Sequence, residues 1–208
     1  MLKIGELFFK FRDYTPIPFI IAMFYWAAPT SSSILIGTII AVIGELIRIY
    51  GVAYIGGVSR TRTFSTGQKL ITSGPYAHVR NTLYIGNLLL SSGLVVISNV
   101  NIDNIPNSNA YFLAFFVAFF FIQYIPVVLW EESNLQNIFK EEFTKYKSQV
   151  PRWIPSLSNK TNNTDKIAGD YPMALKSEKS TLTTTVIVFL GLLFRANIIA
   201  LLDRKSVV

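Results

Sequence analysis

The chain reads as an all-α, polytopic membrane protein with about five transmembrane helices and a short N-terminal interfacial helix. Three observations carry that reading. Of its 208 residues, 51% are hydrophobic and mean hydropathy is +0.42, too apolar for an ordinary soluble domain. Its apolar residues gather into runs near the roughly 20 needed to cross a bilayer. Its basic residues collect on alternate connections between those runs.

The first 14 residues place Ile4, Leu7, Phe8 and Phe11 at helical spacing, away from Lys3, Lys10 and Arg12. This pattern predicts an amphipathic helix in the membrane interface. A cleaved signal peptide is disfavoured, because the run ending Tyr25-Trp26-Ala27-Ala28 lacks a clean small-x-small site. Spans are expected at about Pro16 to Ala28, Ile34 to Ile55, Leu83 to Ser98, Tyr111 to Trp130 and Leu182 to Leu202. Thr30-Ser31-Ser32-Ser33 reads as a tight polar turn, so the first two spans are expected to form a helical hairpin. Residues 1–155 form the expected membrane-embedded core, 156–180 a polar linker and 181–208 an additional C-terminal transmembrane helix.

Lys3, Lys10 and Arg12 precede the first span, and Arg60, Arg62, Lys69 and Arg80 lie between the second and third. Lys140, Lys145, Lys147, Arg152, Lys160, Lys166, Lys176 and Lys179 lie between the fourth and fifth. The connections 30–33 and 99–109 contain none. The positive-inside rule therefore puts the N-terminus and these basic connections in the cytoplasm. Arg204 and Lys205 dissent at the far end. The net charge of +7 points to anionic lipid headgroups rather than nucleic acid. There is no cysteine, which excludes disulfides and thiolate chemistry. With one histidine, no metal site is expected. Asn159-Lys160-Thr161 and Asn162-Asn163-Thr164 match a glycosylation acceptor pattern that goes unused on a cytoplasmic face.

Two polar clusters flank the third and fourth spans. In the first, Gly74-Pro75 marks a turn, followed by Tyr76, His78, Arg80, Asn81 and Tyr84. Arg80 suits a clamp on a carboxylate or phosphate, although an arginine at a span end is ordinarily a headgroup anchor. Asn81 and Tyr84 share a helical face. The second cluster is Glu131-Glu132. Acidic groups are unfavourable near a helix C-terminus and anionic lipid, so a cationic partner is expected, either a ligand or a nearby arginine. Leu135, Ile138, Phe139, Phe143 and Tyr146 continue at helical spacing, and Val150-Pro151-Arg152-Trp153-Ile154-Pro155 reads as a stiff interfacial segment. Glu45 and Arg48 can pair across one turn. Arg195 either snorkels or meets an acidic group elsewhere. Gly44 and Gly51, like Gly86 and Gly93, recur at seven residues, which favours close helix packing.

In order and spacing, several elements resemble the isoprenylcysteine carboxyl methyltransferase family of integral membrane enzymes. They are Leu46-Ile47-Arg48, Gln68-Lys69-Leu70-Ile71-Thr72-Ser73-Gly74-Pro75-Tyr76, Arg80-Asn81-Thr82-Leu83-Tyr84-Ile85-Gly86, Glu131-Glu132-Ser133-Asn134-Leu135, Phe139-Lys140-Glu141-Glu142-Phe143 with Tyr146, and Val150-Pro151-Arg152-Trp153-Ile154-Pro155. The resemblance covers roughly residues 40 to 155. It implies methyl transfer from S-adenosylmethionine (SAM) to a lipophilic, membrane-resident acceptor, for instance the carboxylate of an isoprenylcysteine-like lipid. It implies a cytoplasm-facing SAM pocket formed by Gln68, Lys69, Leu70, Ile71, Tyr76, Asn81, Thr82, Leu83, Tyr84 and Glu131, with Arg80 and Glu131 as the catalytic pair. Three positions, Asn81, Thr82 and Val127, depart from the family pattern. Arg80-Asn81-Thr82-Leu83-Tyr84 stands where the family reads Arg-His-Pro-x-Tyr, and Val127 stands where eukaryotic members carry an arginine. A membrane reductase taking NADPH on a similar architecture, and a non-enzymatic scaffold or transporter, are the competing readings.

Overall fold

The structure, a computed structural model, describes residues 2–56, 69–156 and 168–206. Six α-helices follow in order: α1 (Leu2–Phe11), α2 (Ile17–Trp26), α3 (Ser31–Ile55), α4 (Thr82–Ser98), α5 (Ser108–Gln149) and α6 (Tyr171–Ser206). A 3-10 turn, Gly74–Ala77, precedes α4. The all-α class is as expected. Two helices, α3 and α5, are long and apolar enough to cross a membrane, whereas α2 and α4 are apolar but shorter. Five apolar runs are thus helical, but five spans do not follow from length and composition.

The tightest helix pair is α3 with α4, and glycine makes it so. A Cβ on Gly44 would stand 2.4 Å from the Leu90 amide nitrogen and 2.8 Å from the Gly86 carbonyl oxygen. At the other end, a Cβ on Gly37 would stand 2.6 Å from the Gly93 carbonyl oxygen. Only hydrogen fits between these backbones, so Gly37, Gly44, Gly86 and Gly93 let the two helices touch. Gly51 instead faces the Leu83 side chain.

Thr30 to Ser33 is a helix start rather than a free turn. The Thr30 hydroxyl accepts the Ser33 amide at 3.2 Å, and the Ser33 hydroxyl accepts the Thr30 amide at 2.9 Å. This reciprocal cap satisfies two otherwise orphaned donors at the start of α3. Nor do the first two spans make the expected hairpin. The main helix partners of α2 are α6 and α4. Its Phe19 ring also sits among Phe112, Phe115, Phe116 and Phe119 of α5, with centroids 5.2–6.0 Å away. Aromatic packing outweighs sequence proximity here, since edge and tilted ring pairs add to plain area burial.

Helix α1 packs on α5 through Gly5, where a Cβ would stand 2.7 Å from the Trp130 Cβ. Phe9 packs on Trp130 at 4.9 Å. The outer face of α1 is the one the periodicity singles out, with Ile4, Leu7 and Phe11 about half exposed. Within α5 the path breaks at Lys140 (φ 45°, ψ −112°). Gln136 and Thr144 side chains donate to the Lys140 carbonyl at 2.7 and 3.1 Å and offset the interrupted ladder. Helix α6 begins at Tyr171, about ten residues before the expected span and inside the expected linker. Asp170 starts it by accepting the Met173 amide at 3.0 Å. The rest of that linker, 157–167, with both Asn-x-Thr motifs, lies outside the described residues, as do Gln68, Arg60 and Arg62.

Candidate functional site

The turn before α4, the middle of α5 and the segment after α5 converge at one end of the bundle. Backbone bonds tie them: the Arg80 amide donates to the Pro151 carbonyl at 3.0 Å, and the Ser156 amide to the His78 carbonyl at 2.9 Å. The His78 ring nitrogen Nδ1 lies 2.8 Å from the Ser156 carbonyl oxygen, so this histidine joins two loops. The Asn81 carboxamide donates to the Arg152 carbonyl at 3.0 Å, and the Tyr146 hydroxyl to the Tyr76 carbonyl at 2.7 Å. Leu70 packs with Phe143, Tyr146 and Val150 beneath these loops.

Glu132 is the hub. Its Oε1 accepts from Arg80 Nη2 at 3.0 Å and Nε at 3.1 Å, and also from Arg152 Nε at 3.0 Å. Its Oε2 accepts from Arg152 Nη2 at 2.6 Å. Arg80 Nη1 donates to the Lys147 and Val150 carbonyls at 2.9 and 2.6 Å. These carbonyls end α5, where the helix dipole favours a cation. Burial alone would raise the Glu132 carboxyl, but the Arg152 and Arg80 contacts overcome it and hold its pKa below the usual value. The same partnership raises Arg152. The guanidinium of Arg80 is therefore committed to folding these elements together. Each nitrogen of the Arg80 guanidinium thus has a partner within the protein.

Glu131, its neighbour, is turned about 100° around the helix and so faces another way. It lines a cavity of about 1020 Å³. It lies one residue past the apolar stretch that ends at Trp130. Burial pushes its carboxyl up to about 7, while a hydrogen bond from Tyr84 and the Arg12 charge pull down and the Glu132 charge pushes up. Lys69, Leu70, Ile71, Tyr76, Arg80, Asn81, Leu83 and Tyr84 line the same cavity. Thr82 does not. It is buried, and its hydroxyl donates to the Val79 carbonyl at 3.2 Å. The cavity continues along the apolar part of α5, past Tyr124, Gln123, Phe120 and Phe116. Tyr84 packs on Tyr124 at 4.8 Å, and Tyr124 stacks on Phe120 at 4.2 Å. One wall is polar and the other is oily.

Three residues carry more than their sequence context indicated. Glu178 of α6 is fully buried and accepts from Arg48 Nη2 at 2.6 Å and Nε at 3.2 Å. Glu45 stands 3.6 Å from the same guanidinium, as its spacing predicts. Asn87 accepts a further Arg48 bond. Arg195 donates to the Phe24 and Tyr25 carbonyls and thereby caps α2 instead of meeting an acid. Gln123, buried in the apolar stretch of α5, is the third. A lone carboxamide among aromatic residues was the legible signal for it, and Asp170-Tyr171-Pro172 was the signal for the early helix that delivers Glu178.

No family model, curated protein or solved structure matches the chain.

Proposed function

We propose that the protein is a membrane methyltransferase that binds SAM at the Glu131 end of the cavity and takes a lipophilic acceptor along the apolar end. The observation that carries the proposal is Glu131. It is a carboxylate held at the wall of a large cavity, raised by burial to about 7, with aromatic side chains beside it. Such a group gains most from a cation, because a positive ligand restores the ionised form that burial penalises. The sulfonium and ammonium charges of SAM fit that requirement, and the rings of Tyr76 and Tyr84 add favourable faces for them. Lys69, Leu70, Ile71, Asn81 and Leu83 complete the wall. When bound, SAM would supply an electrophilic methyl group whose departure returns an electron pair to sulfur.

The chain's own residues do the positioning. Glu132 with Arg80 and Arg152 holds the loop before α4 against the end of α5, which keeps Glu131 and Tyr84 in register. The aromatic walls exclude water from the apolar half. Orientation of two reactants in one dry site supplies much of the rate in such a transfer. In this reading the polar end of the cavity faces the cytoplasm, in keeping with the basic connections.

SAM binding to purified protein, followed by calorimetry with NADPH as a control, tests the proposal. Saturable SAM binding is expected, weakened roughly thirtyfold or more in Glu131→Gln by loss of a buried counter-charge. Folded protein that binds no SAM, or binds it equally well after the substitution, overturns it. NADPH binding instead would favour the reductase, and binding of neither would favour a scaffold or transporter.

A further inference from the structure

Gln123 lies eight residues before Glu131, about 12 Å back along α5. It sits within the apolar stretch from Tyr111 to Trp130 and is 4% exposed. It lines the cavity, yet its Nε2 has no hydrogen-bond partner. An amide donor without a partner in an oily wall is destabilising, and the fold has no packing need for one. A leucine would fill similar space at no polar penalty.

The charge at neighbouring cavity positions narrows what could meet this donor. Arg48 also lines the cavity, but it already faces two carboxyl groups, Glu178 at 2.6 Å and Glu45 at 3.6 Å. Two further cavity-lining cations also face carboxylates, Arg12 with Asp13 at 3.8 Å and Arg80 with Glu132 at 3.0 Å. Val127, one turn beyond Gln123, is fully buried and apolar. Phe116, Phe119, Leu94 and Val188 supply hydrocarbon and aromatic wall, and the polar groups among them, Ser91, Thr184 and Thr185, are uncharged.

We infer that Gln123 is a specificity determinant that donates to a neutral oxygen of the lipid acceptor, of carbonyl, ether or hydroxyl type, and that the group bound at this depth is not a carboxylate. The inference rests on the reading of the cavity as a lipid-acceptor site and narrows its substrate class. The amide nitrogen gains the partner it lacks, and the alkyl chain fills the aromatic wall.

Four twelve-carbon probes separate the chemistry: dodecane, 2-dodecanone, 1-dodecanol and dodecanoate. Each is titrated into full-length protein in nanodiscs, wild type and Gln123→Leu, with binding read by tryptophan fluorescence. In wild type the ketone and alcohol should bind roughly three- to tenfold more tightly than the alkane, the worth of one neutral hydrogen bond. In Gln123→Leu that preference should collapse to about one, with alkane affinity kept and the melting temperature unchanged or higher. A preference that survives in the variant overturns the inference. So does tighter binding of dodecanoate than of the ketone, or no binding of any probe to folded wild-type protein. SAM calorimetry on the same preparations keeps the two proposals apart. Wild-type protein without ketone selectivity but with SAM binding intact removes only the role of Gln123, whereas Gln123-dependent ketone selectivity without SAM binding removes only the methyltransferase.

Discussion

Glu132→Gln changes one atom pair in size very little but removes the charge that two guanidinium groups share. Arg80 and Arg152 together direct four nitrogen–oxygen contacts of 2.6–3.1 Å to this carboxylate. The Arg80 side chain is 9% exposed and Glu132 11%, so little water can replace the lost partner, whereas Arg152 is 36% exposed. Removing one member of a buried, hydrogen-bonded ion pair costs about 3–5 kcal/mol. The solvated Arg152 edge favours the lower figure, about 3 kcal/mol, which for a chain of this size lowers the melting temperature by roughly 6–12 °C. Thermal unfolding in detergent, followed by intrinsic fluorescence, measures it. Arg80→Ala should cost more than Arg152→Ala, because it also uncaps the Lys147 and Val150 carbonyls. The effect has a definite pH sign. A lowered carboxyl pKa contributes stability that is complete above the ordinary value of 4.5 and is lost as pH falls through the lowered one. The Glu132→Gln deficit should therefore be full at neutral pH and shrink in acid. A variant that melts within a degree or two of wild type at neutral pH would refute the clamp.

Two further expectations follow from the charges. The Glu131 carboxyl, pushed up to about 7 and faced by Arg12, Glu132 and the Tyr84 hydroxyl, must lose its proton to hold a cation. SAM affinity should thus fall about tenfold from about pH 8 to about pH 6, and calorimetry should show proton release at the lower pH; Glu131→Gln should bind weakly with a flat profile. Glu178→Leu leaves Arg48 facing Glu45 at 3.6 Å with its closest counter-charge gone. It should cost about 3–5 kcal/mol, and the double variant Arg48→Met with Glu178→Leu should recover only part of that, because Glu45 stays buried without its counter-charge. Melting curves of the two single variants and the double give the coupling directly.

Much of the local architecture was legible because it depends on neighbours in the chain. Apolar runs at 34–55, 83–98 and 111–130 fall within or on α3, α4 and α5, since helix period and apolar content need no distant partner. The spacings of Gly44 with Gly51 and of Gly86 with Gly93 announced close helix packing, though not that Gly37 rather than Gly51 meets the facing backbone. Leu135, Phe139, Phe143 and Tyr146 marked the continuation of α5, but nothing in their order revealed the break at Lys140. Cavity-lining positions from Lys69 to Tyr84 and Glu131 do meet, while Thr82 turns into the backbone and Gln68 lies outside the described residues.

The sequence by itself determined that the apolar runs are helical and which connections are basic, because those properties follow from composition and periodicity within a few turns, but not that α6 starts at Tyr171. Only tertiary structure decided which of two adjacent glutamates takes Arg80. Rotation of about 100° per residue sends Glu132 to the arginines and Glu131 to the cavity. The same holds for Glu178, whose partner Arg48 is 130 residues away in the chain, and for α2, which leaves its neighbour α3 to pack on rings of α5. Such choices rest on which side chains face each other across the bundle, and a carboxylate looks the same in sequence whether its counter-charge is an arginine or a ligand.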